Sequence, residues 1–139
     1  MKNVFVDSSV LFSAVNSPTG GSSKLFVLKD VKLIASKVVL AETERNVRKK
    51  LHGYHLDRFF MLVDKLEIIR QLPDEKLIKK AKKVIVQKDS VILAESKQSA
   101  CDFLVTLDKK HFLSKKVAEF LTSQKVLTPK MLIEIAEKK

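Results

Sequence analysis

Five short apolar runs recur along the chain with helix-patterned stretches between them: Val4-Phe5-Val6, Val31-Lys32-Leu33-Ile34, Leu66-Glu67-Ile68-Ile69, Phe103-Leu104-Val105-Thr106 and Val126-Leu127. The first contains no polar residue, the pattern of a strand covered on both faces. Between the runs, Val10, Leu11, Ala14 and Val15 recur at helical spacing. Ser36 is placed to cap a helix whose apolar stripe is Val39, Leu40, Thr43, Val47 and Leu51. Leu56–Leu66 continues helical, Pro73-Asp74 opens a helix through about Val86, and a further helix begins at Asp89 with Ile92, Leu93, Ser96 and Ala100. Asn16–Gly21 reads as a loop, Ser22 or Ser23 as the cap of the helix after it, and Thr128-Pro129 as the start of a terminal helix. Strands alternating with helices predict a three-layer α/β/α sandwich around a mainly parallel central sheet of about four to five strands. With 139 residues, no repeat and no linker, the expectation is one domain spanning 1–139.

Composition narrows the function classes. The chain carries 27 Lys+Arg against 16 Asp+Glu, a net charge of +11, which favours polyanionic partners such as RNA, DNA or an anionic membrane surface. No apolar run approaches the roughly 18 residues a membrane span needs, and the start of the sequence is not that of a signal peptide. A soluble, cytoplasmic protein is expected. The single cysteine, Cys101, builds neither an internal disulfide nor a Cys-rich zinc site and reads as a small buried residue.

In an open α/β sheet, ligands bind beyond the carboxyl ends of the strands, near the point where strand order reverses. Acids stand at such places here. Asp7 follows the first strand, Asp108 lies just past the fourth, Asp89 opens the helix leading into that fourth strand, and Glu42 falls in the first turns of the helix after the second. Four converging carboxylates would repel one another unless a cation neutralised them. Oxygen ligands without a His or Cys cluster favour Mg²⁺ or Mn²⁺, and such an ion supports phosphodiester hydrolysis. Taken singly, each acid reads as well as a helix cap, a dipole partner or a turn residue.

The segments Val4-Phe5-Val6-Asp7-Ser8-Ser9-Val10-Leu11, Ser36-x-x-Val39-Leu40-x-Glu42, Asp89-x-x-Ile92, Ala100–Phe112 and Val126-Leu127-Thr128-Pro129 together resemble the PIN-domain nuclease family, in order and over nearly the whole chain. The resemblance implies a Mg²⁺- or Mn²⁺-dependent endoribonuclease. Asp7, Asp89 and Asp108 would hold the metal, and Glu42 would complete the catalytic site. Asp102 is a fifth acid that similar proteins often carry, and Thr106 and Ser8 are candidate hydrogen-bond donors to a carboxylate or water. Relatives often have Asn where Ser9 stands, Ala where Ser96 stands and Gly where Cys101 and Leu107 stand; no metal ligand is lost by these departures. Many single-domain relatives are toxins of toxin–antitoxin pairs of the VapC type, which implies an antitoxin partner and a homodimer.

Arg45 and Lys49, three and seven residues after Glu42, share its helix face and are candidates for binding substrate phosphates, with a solvated face as the rival reading. Lys79, Lys80, Lys82 and Lys83 read as a soluble helix face that adds to the field drawing in a nucleic acid. His52, His55 and His111 make no metal-ligand pattern and read as surface residues. Eight Phe, one Tyr and no Trp, with the Phe in apolar periodic positions, argue against base stacking as the dominant mode of binding. A haloacid-dehalogenase-type phosphotransferase would need a second Asp two residues after Asp7, where Ser9 stands. The alternative to an enzyme is a non-catalytic RNA-binding or protein-docking module on the same fold. Setting four acids aside for a metal site leaves 12 acids against 27 basic residues, a charge of +15 over the rest of the chain.

Overall fold

The computed structural model describes residues 1–138. Its sheet has five strands, β1 (Lys2–Val6), β2 (Val31–Ser36), β3 (Glu67–Ile69), β4 (Phe103–Val105) and β5 (Lys125–Leu127), in the order β3-β2-β1-β4-β5. Every pairing is parallel; Val4 aligns with Leu33 on one side of β1, and Phe5 with Leu104 on the other. Parallel neighbours force crossovers, and these are filled by α1 (Ser8–Asn16), α2 (Gly21–Lys24), α3 (Lys37–Lys50), α4 (Tyr54–Val63), α5 (Glu75–Ala81), α6 (Gln87–Ser99), α7 (Lys109–Phe112) and α8 (Lys115–Leu121), with α9 (Pro129–Glu137) closing the described chain. The chain winds outward from β1 to β3 and then returns to the far side of β1. With right-handed crossovers that reversal puts α1, α3 and α4 on one face and α5 and α6 on the other. Val4, Phe5 and Val6 are fully buried, as a sheet covered on both faces requires. The five expected strands and the α/β sandwich are thus present.

Ser36 caps α3, accepting a hydrogen bond from the Val39 N–H, and Thr128 with Pro129 starts α9 in the same way. Other boundaries differ from the sequence reading. Neither Ser22 nor Ser23 caps a helix: Gly20 holds the cap position of α2, and the Ser23 hydroxyl instead bonds the carbonyls of Ala14 and Ser17 while receiving Arg58. The helix opened by Asp74 stops at Ala81 instead of Val86, because the chain turns back at residues 82–84 to start α6. The helix expected over Leu56–Leu66 ends at Val63, and α7 and α8 were not foreseen. Cys101 is buried, as expected. Ala100, which ends α6, adopts left-handed φ 55°, a conformation that favours glycine.

Candidate active site

β1 and β4 lie side by side where the winding reverses, so the segments leaving their carboxyl ends open a crevice between them. A cleft of about 230 Å³ sits there, lined by Asp7, Ser8, Ser9, Phe12, Glu42, Asn46, Lys50, Lys88, Asp89 and Asp108. All four acids expected from the sequence therefore meet, delivered by β1, α3, α6 and the turn after β4. A larger concavity of about 540 Å³ lies near Met1 and α9, and its lining is mainly apolar.

Asp7 is 3% exposed and is held by two hydroxyls: Ser9 Oγ and Thr106 Oγ1 each donate to its Oδ2 at 2.7 Å. Those hydroxyls are themselves positioned, because Thr106 Oγ1 accepts the Asp108 N–H at 3.0 Å and Ser9 Oγ accepts the Leu107 N–H at 3.1 Å. Ser8 Oγ donates to Glu42 Oε1 at 2.9 Å. Asp108 caps α7, its Oδ1 accepting the His111 N–H. Asp89 stands in the first turn of α6.

The electrostatics set these acids apart from ordinary surface carboxylates. Burial pushes Asp7 above its usual range against the pull of its hydroxyl partners. Burial, with Asp7 and Asp108 nearby, raises Asp89 from 3.8 to about 6, and Lys88 and His111 offset part of that rise. Asp89 Oδ2 is buried and makes no hydrogen bond. An orphaned carboxylate oxygen facing two further acids is a fitting donor for a hard divalent cation. His111 adds a nitrogen to the cluster: its Nδ1 is hydrogen-bonded to Asp108 Oδ2 at 2.8 Å and lies 3.4 Å from Asp89 Oδ2. Asp89, Asp108 and His111 form one compact group of metal-ligating side chains.

Sequence reasoning missed His111, which is half-buried in the site instead of lying on an open surface. The available signal was its position three residues after Asp108, which a helical turn brings to the same side. Ser9 was also underrated, since it positions Asp7. Ser8 and Thr106 are where expected, one on Glu42 and the other on Asp7. Asp102 is not in the site. It stands before β4, at the opposite end of that strand, where its Oδ2 accepts the Asn3 N–H at 2.8 Å. Arg45 and Lys49 are exposed and do not line the cleft; Asn46 and Lys50 of the same helix do. A buried acid outside the cleft, Glu95, accepts a hydrogen bond from Ser36 Oγ at 2.6 Å, and burial raises its pKa.

No curated protein sequence matches the chain at a significant level. Among solved structures, VapBC2 from Rickettsia felis bound to a DNA fragment from its promoter aligns over 91% of this chain and 98% of its own, with TM-score 0.70 and 17% identity. The Pyrobaculum aerophilum protein PAE2754 aligns over 99% and 97%, with TM-score 0.66 and 12% identity. The Mycobacterium tuberculosis toxin VapC20, described as cleaving the sarcin-ricin loop, covers 77% of this chain and 91% of its own, with TM-score 0.58 and 16% identity. At such identities these likenesses speak for the fold. The model of the PIN domain matches residues 4–118, the span that carries all four cleft carboxylates, and on that match the chain belongs to the PIN-domain family of nucleases.

Proposed function

We propose that this chain is a single-domain, metal-dependent endoribonuclease that hydrolyses RNA phosphodiester bonds, acting in the cytoplasm. The observation that carries the proposal is the convergence of Asp7, Glu42, Asp89 and Asp108 on one cleft in which Asp89 Oδ2 is buried without a hydrogen-bond partner. Asp7, Asp89 and Asp108 would hold Mg²⁺ or Mn²⁺, with His111 beside them. Bound there, the ion supplies charge neutralisation, polarisation of a phosphoryl oxygen and a lowered pKa for a water ligand. The chain's own residues supply preorganisation. Ser9 and Thr106 fix the Asp7 carboxylate, and Ser8 turns Glu42 towards the cleft, from which it can orient an attacking water. Lys50 and Lys88 put positive charge on the cleft wall, where phosphates of a bound strand would lie.

The structural likeness to VapBC complexes supports reading the chain as the toxin of a toxin–antitoxin pair, with a small antitoxin protein as partner; a homodimer is the assembly proposed for it. Among the described residues no helix is long and apolar enough to cross a membrane.

The test is cleavage of labelled single-stranded RNA with Mg²⁺ or Mn²⁺, comparing wild type and Asp7→Asn with and without chelator. Cleavage abolished by either change supports the proposal; cleavage that survives both refutes the metal site. RNA binding without turnover under any metal would favour a non-catalytic docking module.

A further inference from the structure

We infer a nucleobase-stacking platform beside the cleft, made by Tyr54 with His52 and His55, that takes an unpaired base of single-stranded RNA. The inference rests on the ribonuclease reading above and names a subsite for its substrate.

Three rings gather where α3 ends and α4 begins. Tyr54 and His55 have ring centroids 4.2 Å apart, Tyr54 and His52 5.8 Å apart with planes only 12° from parallel, and His52 and His55 6.3 Å apart. The two imidazoles are too close together to sandwich the phenol ring between them. They leave much of the Tyr54 side chain open to solvent. Tyr54 is 70% exposed, although burying an aromatic ring is ordinarily favourable. Its ring lies 12° from parallel with His52 and 29° from parallel with His55 instead of folding over the apolar core.

The surroundings suit a polyanion. The last turn of α3 carries Arg48, Lys49 and Lys50 against one acid in the first turn of α4, Asp57. Arg48 is paired with Glu44, whereas Lys50 lines the acidic cleft with its ammonium 5.9 Å from the Phe12 ring centroid. Only Leu51 separates Lys50 from His52 in the chain, so the platform begins where the cleft wall ends. A strand whose scissile phosphate sits among the carboxylates would pass a phosphate to Lys50 and offer its next unpaired base to Tyr54. Stacking of this kind tolerates any base, because every base has a π-face, but needs the base unpaired. The platform therefore selects single strands and loops over duplex.

Tyr54 is the only tyrosine in a chain without tryptophan, so intrinsic fluorescence excited near 280 nm reports this one ring. In metal-free Asp7→Asn protein, a short single-stranded oligoribonucleotide is expected to quench that emission along the same binding curve that the anisotropy of a labelled RNA gives. Polyphosphate of equal charge should bind without quenching, and Tyr54→Ala should weaken RNA binding by about 5-fold to 100-fold while Tyr54→Phe retains it. The proposal is overturned if RNA binds with no change in tyrosine emission, or if Tyr54→Ala binds as tightly as its parent. In that case the ribonuclease reading stands and the ring cluster is a protein-docking surface. Absence of any RNA binding alongside absence of cleavage by wild type overturns both.

Discussion

Replacing Asp89 by Asn should make the metal-free protein more stable while removing its response to metal. Asp89 has its carboxyl pushed from 3.8 to about 6 by burial and by the charges of Asp7 and Asp108. A carboxyl whose folded pKa lies above its unfolded value holds its proton more tightly in the native state, so native stability falls as pH rises from about 4 to about 6 and stays reduced above that. At 1.36 kcal/mol per pH unit, the penalty at neutral pH is about 3 kcal/mol. An Asn of almost the same shape carries no charge to desolvate. With an unfolding entropy of about 0.3 kcal/mol/K for a chain this long, the change corresponds to a rise of about 10 °C in melting temperature at pH 7.5 in chelator. Thermal melts followed by circular dichroism would measure it. At pH 4 the two proteins should converge, and Mg²⁺ or Mn²⁺ should raise the wild-type melting temperature much more than that of the variant. An Asn variant that melts at or below wild type in chelator at pH 7.5 would refute the reasoning, since the buried charge would then be satisfied by the protein itself.

Thr106→Val removes the hydroxyl that donates to Asp7 and accepts from the Asp108 N–H at a fully buried position, and should cost about 2–4 kcal/mol of stability in a denaturant titration and weaken metal binding measured by calorimetry. Ser36→Ala loses both the cap of α3 and the donor to buried Glu95, an expected loss of about 2 kcal/mol read from the same titration, with little change in the cleft itself. Ala100→Gly relieves the left-handed residue that ends α6 and should add about 0.5–1 kcal/mol; a loss of stability would mean that the Ala methyl contributes packing there.

The acids of the site were legible because parallel topology, itself readable from the alternation of apolar runs and helices, sends strand ends and following helix starts to one edge. Asp7 and Asp108 needed no side-chain detail to be placed there, and Asp102 was correctly separable only once the length of β4 was known, since three residues of strand put it at the far edge. The error on α3 has a similar origin. Relative to Glu42, positions three and seven along a helix lean to one side of the axis and positions four and eight to the other. Which side faces the cleft is decided by how α3 lies against α1 and Phe12, a tertiary fact, and it favours Asn46 and Lys50 over Arg45 and Lys49. His111 escaped notice because α7 is four residues long and leaves no periodic trace. The stop at Ala81 was hidden for a related reason: Ile78, Ala81 and Ile85 keep helical spacing through residues that in fact turn.

The hydrogen bond from Thr106 to Asp7 spans 99 positions of sequence, and the other carboxylates come from segments between and beyond those two residues. Such a site has no local precursor. During synthesis the first strand emerges with its acid long before the strand that must lie beside it, and a chain stalled before Thr106 has neither its fourth carboxylate, Asp108, nor the second of the two hydroxyls that hold the first. A nuclease site assembled this way has no complete carboxylate cluster until the strand carrying Thr106 and the turn carrying Asp108 have been made and have docked beside β1. Products truncated before Thr106, likewise, would carry positive charge without an assembled cleft.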